Sequence, residues 1–407
     1  MHRLALSTLT LVMLAATSAA AEERVVEIIG PGGDGKGNQL RVPRGLARDT
    51  KGNLFVVGAQ SDNVFRVSPD GGITQMIDGS GDGQGHELKD PREITVDAVG
   101  NLYVAGETSS NVFRVTPAGE ITLVLDTMGD GTEKLGHRVV RPTHLVAGPD
   151  RSVYVSSQNS HNVYRIKPDG QLEVLITREG DGQGNELDRP NALLADPEGN
   201  VFVAGARSTI VFRIAPGGEV SVYFDAKKAR PRVDLRFAND LARDAAGNLY
   251  LSANNSGNVL GIAPDGSAAE TFPAKREGRF LGAPLSVEAS PKGVVYVARM
   301  ASSGVWRRQP GKQPELFLGP EDLPGGEKGL RIPRGLLLDP KGFLYVSSGM
   351  DNRVFRVAPG ARPADPVPTP EQAQEQKDVR AGEQAEPAPQ QAEPGVEAAE
   401  AETPPDA

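Results

Sequence analysis

The chain contains no cysteine, which excludes a disulfide framework, a thiolate zinc site and a cysteine nucleophile. After residue 21 no stretch offers the ~20 apolar residues that a membrane-spanning helix needs. No P-loop, serine-centred elbow or His-Glu-x-x-His helix is present, so the common sequence-visible catalytic motifs are missing. Basic residues are not in excess: 44 Lys and Arg face 53 Asp and Glu, for a net charge of −9. A nucleic-acid binder should show the opposite balance, clustered on one face. What the chain has in plenty is 48 Gly and 32 Pro, too many turn formers for a helical bundle and without the period of collagen.

Much of the negative charge sits in residues 361–407, where eight Glu and three Asp face two Arg and one Lys. That segment is rich in Pro, Ala, Glu and Gln and has no aromatic residue. It cannot bury enough apolar area to offset the entropy of ordering and is expected to be disordered. At the other end, Arg3, the apolar run Leu4 to Ala16 and Ala19-Ala20-Ala21 are the parts of a cleavable export signal. The expectation is a periplasmic or secreted protein with residues 1–21 as signal, 22–360 as folded body and 361–407 as acidic tail. A monomer with no transmembrane segment and no nucleic-acid partner is expected.

The body repeats. Aromatic-centred runs such as Leu54-Phe55-Val56-Val57, Leu102-Tyr103-Val104-Ala105 and Leu344-Tyr345-Val346-Ser347 place aromatics at 55, 103, 154, 202, 250, 296 and 345, in steps of 48, 51, 48, 48, 46 and 49. Within a copy, short β-branched and aromatic runs alternate with Gly, Pro, Asn and Asp turns, the pattern of an antiparallel meander. One four-stranded sheet cannot bury both its faces, whereas radial stacking does, so an all-β propeller of seven blades is predicted, with six as the alternative. The last copy stops after Val354-Phe355-Arg356-Val357, and its missing fourth strand is found at Arg24 to Ile29. The N-terminal strand should therefore close the ring.

The segments Gly81-Asp82-Gly83-Gln84-Gly85, Leu88, Pro91, Asp97, Gly100-Asn101-Leu102-Tyr103-Val104 and Asn111-Val112 with Arg114 resemble NHL repeats of the bacterial type. The resemblance runs over nearly all of residues 24 to 360 and implies a propeller. It departs where the family has Asp after the aromatic strand, because Gly58, Gly106, Ser157, Gly205, Ala253, Arg299 and Ser348 stand there. Asn239-Asp240-Leu241 with Gly247-Asn248-Leu249-Tyr250 is similar to the Asn-Asp segment of the gluconolactonase/senescence-marker lactonases. That likeness implies a divalent ion held by Glu, Asn and Asp from different blades. Streptogramin B lyases share the repeat style and make a lyase a weaker alternative, but their His-Glu-His pattern has no match here.

Equivalent positions of a propeller lie on circles about its axis, so departures within one column are informative. In the innermost strand the first column reads Arg44, Arg92, Thr143, Asn191, Asn239, Leu285 and Arg334, and the next Gly45, Glu93, His144, Ala192, Asp240, Ser286 and Gly335. The third is apolar throughout, as core should be. Ring closure would make Arg334, Arg44 and Arg92 neighbours, a basic crescent whose planar guanidinium forks suit carboxylate or phosphate. With Asn239 they form the candidate ligand-binding set. Glu93, Asn191 and Asp240 are the candidate ligands of a Ca²⁺ or Mn²⁺ ion, chosen as hard-cation donors, with His144 as candidate base.

Other residues read as scaffold. Asp34, Asp82, Asp130 and Asp181 sit in Gly-Asp-Gly turns; Arg66, Arg114, Arg165, Arg213, Arg307 and Arg356 form a ladder. Asn63, Asn111, Asn162, Asn258 and Asn352 suit hairpin turns with positive φ, and His86, His137 and His161 lie in solvated loops. The reading that results is a binding or scaffold module whose channel mouth meets a small anionic ligand or a protein partner. A metal-dependent lactonase-type hydrolase is the alternative.

Overall fold

A computed structural model describes residues 24–129, 131, 137–276, 279–280, 282–300, 304–323 and 330–360. The expected export signal, the acidic tail and the Asp130 turn lie outside the described residues. Seven four-stranded antiparallel sheets succeed one another along the chain, so the predicted seven-bladed all-β propeller is the observed fold. The innermost strands are Pro43–Arg48, Pro91–Val96, Pro142–Ala147, Pro190–Ala195, Ala238–Arg243, Pro284–Ala289 and Pro333–Leu338. The aromatic-centred runs are the second strands, buried along their whole length. They are sandwiched between neighbouring blades, which is why they carry unbroken apolar runs.

Closure follows the predicted route. Val25–Ile29 pairs antiparallel with Arg353–Val357, with Val25 opposite Val357 and Val26 opposite Arg356. The register shifts between Glu27 and Ile29, matching the shift in the fourth strands of other blades, as between Val64 and Phe65 or Val112 and Phe113. The N-terminal strand thus reproduces the bulge of the strands it stands in for. Ile29, Val354 and Tyr345 pack with Leu54, Val56 and Phe65, so the joint between blades seven and one is built from the same aromatic and β-branched types as the other joints.

The hairpin between first and second strands recurs through one device. Asp97 Oδ1 accepts from the amides of Val99 (3.1 Å) and Asn101 (2.8 Å), and its Oδ2 from Asn101 Nδ2 at 2.8 Å. Between them Gly100 has φ 93°, a conformation that glycine adopts without steric cost. The next turn corrects an expectation. Positive φ falls on Asp62, Ser110, His161 and Asn352, one residue before the strands that Asn63, Asn111 and Asn162 begin. Those Asn side chains instead donate to the carbonyls of Gln39, Glu87 and Arg138, tying each blade to the loop that enters it. Asn352 belongs one position earlier in the repeat, and Arg353 occupies the equivalent of Asn63.

The column where the related repeats carry Asp has taken up packing. A Cβ at Gly58 would lie 2.4 Å from Asn63 Oδ1, so the small residues make room for the asparagine. In blade six Arg299 is wholly buried, donating to the carbonyls of Gly257 (3.1 Å), Gly282 (3.0 Å) and Pro273 (3.3 Å). Burial pushes its guanidinium down to about 10.

Candidate functional site

Every innermost strand is irregular at the same place. Its register skips between Pro91 and Glu93, between Pro142 and His144, between Pro190 and Ala192, and correspondingly in the other four blades. A bulge leaves the extra residue unpaired and re-aims its side chain. Two consecutive residues from each blade but the fourth, such as Arg92 with Glu93 and Asn239 with Asp240, accordingly line one axial cavity of about 510 Å³. Glycine is needed where the inner strands crowd: a Cβ at Gly45 would lie 2.5 Å from Glu93 Oε1, and one at Gly335 would lie 2.2 Å from the Arg44 carbonyl oxygen. The Ser347 hydroxyl also donates to that carbonyl at 2.8 Å, locking blade seven onto blade one.

The mouth of this cavity is a ring of guanidinium groups gathered around Glu107. Arg44 Nη1 donates to Glu107 Oε2 at 3.2 Å and Arg92 Nη1 to the same oxygen at 3.4 Å, while Arg141 Nε donates to Oε1 at 2.6 Å. Burial would raise the Glu107 carboxyl, but Arg92, Arg141 and Arg44 outweigh it and hold the group below the usual carboxylate range. Asp90 stands 3.4 Å from Arg44 Nη1; burial raises its carboxyl, with Arg44 acting in opposition. Arg334 lines the same cavity. It makes no hydrogen bond or ion pair with any described residue, and its Nε is buried without a partner. Burial, and then the charges of Arg44 and Arg92, depress its guanidinium.

Deeper in the bore the lining carries carboxyl groups in place of guanidinium groups. Glu93 and Glu288 are hemmed in by protein, and this desolvation pushes each carboxyl up to about 8, with Asp240 adding repulsion. His144 Nε2 lies 3.9 Å from Asp240 Oδ1; burial pushes its imidazole below the ordinary value although Asp240 pulls the other way. Asp240 itself bridges blades five and six, its Oδ2 accepting from Ser286 Oγ at 2.7 Å and from the Val287 amide at 3.0 Å.

The structure brings Arg44, Arg92 and Arg334 to one mouth, and Glu93, His144 and Asp240 to one bore. It does not bring Asn191 to that bore as a metal ligand. The Asn191 Oδ1 faces donors, Arg92 Nη2 and Gln158 Nε2, each at 3.4 Å. Its Nδ2 donates to the Ala238 carbonyl and to Asn239 Oδ1. Asn239 in turn donates to the Leu285 carbonyl. Glu93 and Asp240 line the cavity and Asn191 does not, so the three side chains chosen from the sequence are not gathered in one space. Among the described residues no group of three or more His, Asp or Glu is placed to hold a metal ion.

Three residues of the site escaped the sequence reading. Glu107 and Arg141 flank the strands whose columns were compared, and Glu288 sits one position beyond the apolar third column. Its equivalents are Ala47, Thr95, Val146, Leu194, Ala242 and Leu337, so a lone carboxylate in that column was the available signal.

Comparison with known proteins agrees on architecture. Residues 84–114 match the family model described as a beta-propeller repeat. The virginiamycin B lyase of Staphylococcus aureus superposes with a TM-score of 0.64 at 14% identity, covering 83% of this chain and 99% of the lyase. A streptogramin B lyase gives 0.63 at 10% identity, covering 82% and 97%. An extracellular domain assigned to a hybrid two component system of B. thetaiotaomicron gives 0.60 at 10% identity, covering 84% of this chain but 40% of that one. At such identities the shared property is the fold. No curated protein matches the sequence. Among the described residues no helix is long and apolar enough to cross a membrane.

Proposed function

We propose that this chain is an exported propeller that binds the anionic group of a small molecule at its channel mouth. The observation that carries the reading is the surplus of guanidinium at one end of one cavity. Arg44, Arg92 and Arg141 share the Glu107 carboxylate, while Arg334 stands beside them with no described partner. Arg334 is partly buried, and a carboxylate or phosphate would give its guanidinium the charge-assisted hydrogen bonds that no described residue supplies. The bulged strands hold these groups on a rigid ring, so little ordering is required when a ligand arrives. The lactonase alternative is the less favoured, because Asn191, one of the three ligands it needs, does not line the cavity that Glu93 and Asp240 share.

The test is calorimetric titration of pentanoate into the protein and into the double variant Arg44→Glu/Arg334→Glu. Saturable one-to-one binding that weakens with added salt and disappears in the variant supports the reading. Equal binding by both proteins refutes it.

A further inference from the structure

The cavity has a second end, and its chemistry is the converse of the first. Below the arginine mouth, Glu93 from blade two, Asp240 from blade five and Glu288 from blade six face the same space. None of the three has a guanidinium or ammonium group within ion-pair reach among the described residues, and the only basic neighbour of Asp240 is the His144 imidazole. Arg92 turns upward to Glu107 and Asn191, and Arg48, at the far end of the bore, is engaged with Tyr345. The cavity thus has, among the described residues, a guanidinium with no ion-pair partner at its mouth and carboxyl groups with no guanidinium or ammonium partner in its depth.

We infer that the ligand is dipolar: a small ω-amino acid or similar zwitterion, its carboxylate on the arginine ring and its ammonium group among Glu93, Asp240 and Glu288. This rests on the proposed anion-binding mouth and specifies what the rest of the ligand carries. The spacing suits it. Glu288 lies three strand residues beyond the mouth column, roughly 7–10 Å at about 3.3 Å per residue, near the length of an extended five-carbon chain. The upper groups, Asp90, Glu107 and Arg141, sit at the rim beside the bound carboxylate. Once Glu93 and Glu288 have given up their protons, the ammonium group would meet carboxylate oxygens from three blades, acceptors that suit a donor with three protons.

Proton linkage distinguishes this from simple anion binding. Without ligand, Glu93 and Glu288 hold their protons at neutral pH because burial raises both to about 8. An ammonium group arriving beside them expels protons to solvent, whereas an anion arriving alone makes the carboxyls hold them harder. The experiment is titration of 5-aminopentanoate and pentanoate, at pH 7 and in buffers of different ionisation enthalpy, into the full chain and into Glu93→Gln/Glu288→Gln. That variant keeps the volume of both side chains and removes buried ionisable groups, so it should fold. The expected result is at least about tenfold tighter binding of 5-aminopentanoate than of pentanoate. On the order of one proton should leave per 5-aminopentanoate bound, and the variant should bring the two ligands close to equal affinity. If both ligands bind the parent protein equally and no proton leaves, the dipolar assignment is overturned while the anion-binding mouth stands. If neither binds, both are overturned.

Discussion

Replacing Glu107 by Gln should weaken the fold and strengthen the site. Its carboxylate is 6% exposed, and three guanidinium groups converge on it, with side-chain exposures of 22%, 26% and 45%. Breaking a fully buried pair costs about 3–5 kcal/mol and an exposed one about 0–1 kcal/mol. Glu107 lies between these limits, because its own charge is enclosed while its partners reach solvent, and about 2 kcal/mol is expected. For a propeller of this size that is a fall in Tm of roughly 3–5 °C. The pH dependence has a definite sign. The folded carboxyl is held below its ordinary value, so its stabilisation is present above about pH 4.5 and is lost as the pH falls through the folded value. The Gln variant should lack this acid-side loss. At the mouth the same change frees Arg44, Arg92 and Arg141 from an internal competitor. One added positive charge in a partly screened setting contributes about 1 kcal/mol, so pentanoate should bind about fivefold more tightly. Thermal unfolding from pH 3 to 8 and calorimetry check both halves. A variant as stable as the parent that binds pentanoate no better would refute the account of Glu107 as the mouth's built-in counter-ion.

Two further outcomes are expected. Because the chain has no cysteine, Val26→Cys/Arg356→Cys places a single thiol pair at directly opposed positions of the closing strands, within disulfide reach; mild oxidation should link them, shown by altered gel mobility, and a persistently reduced pair would contradict the closure. Glu93 and Glu288, raised to about 8, bind protons in the folded state that the unfolded chain releases above about pH 4.5. The stability they lend should therefore decline from pH 5 to 8, and the difference in Tm between Glu93→Gln/Glu288→Gln and the parent should move in the variant's favour over that range.

The ring was legible because packing imposes it on every copy. Phe55, Tyr103 and their equivalents sit in strands buried between two blades, so each copy must present the same apolar run. The truncated seventh copy then made the role of Val25 to Ile29 a matter of counting strands. The mouth was half legible. Polarity at two consecutive positions, as in Arg92-Glu93 and Asn239-Asp240, breaks the period-two rule of a strand, and the bulge is the physical reason. The partner of those arginines was not visible, because Glu107 lies at the end of a different strand and reads locally as a turn. The orientation of Asn191 was not legible for a related reason. An amide can aim either its oxygen or its nitrogen at the axis, and the donors Arg92 and Gln158 decide which.

The most direct trial of the binding mouth is a crystal structure of the protein with pentanoate. The account predicts both carboxylate oxygens at hydrogen-bonding distance, about 2.7–3.2 Å, from the Arg334 guanidinium and a neighbouring mouth arginine. Pentanoate bound only elsewhere, or Arg334 found already paired with a protein carboxylate, would contradict it.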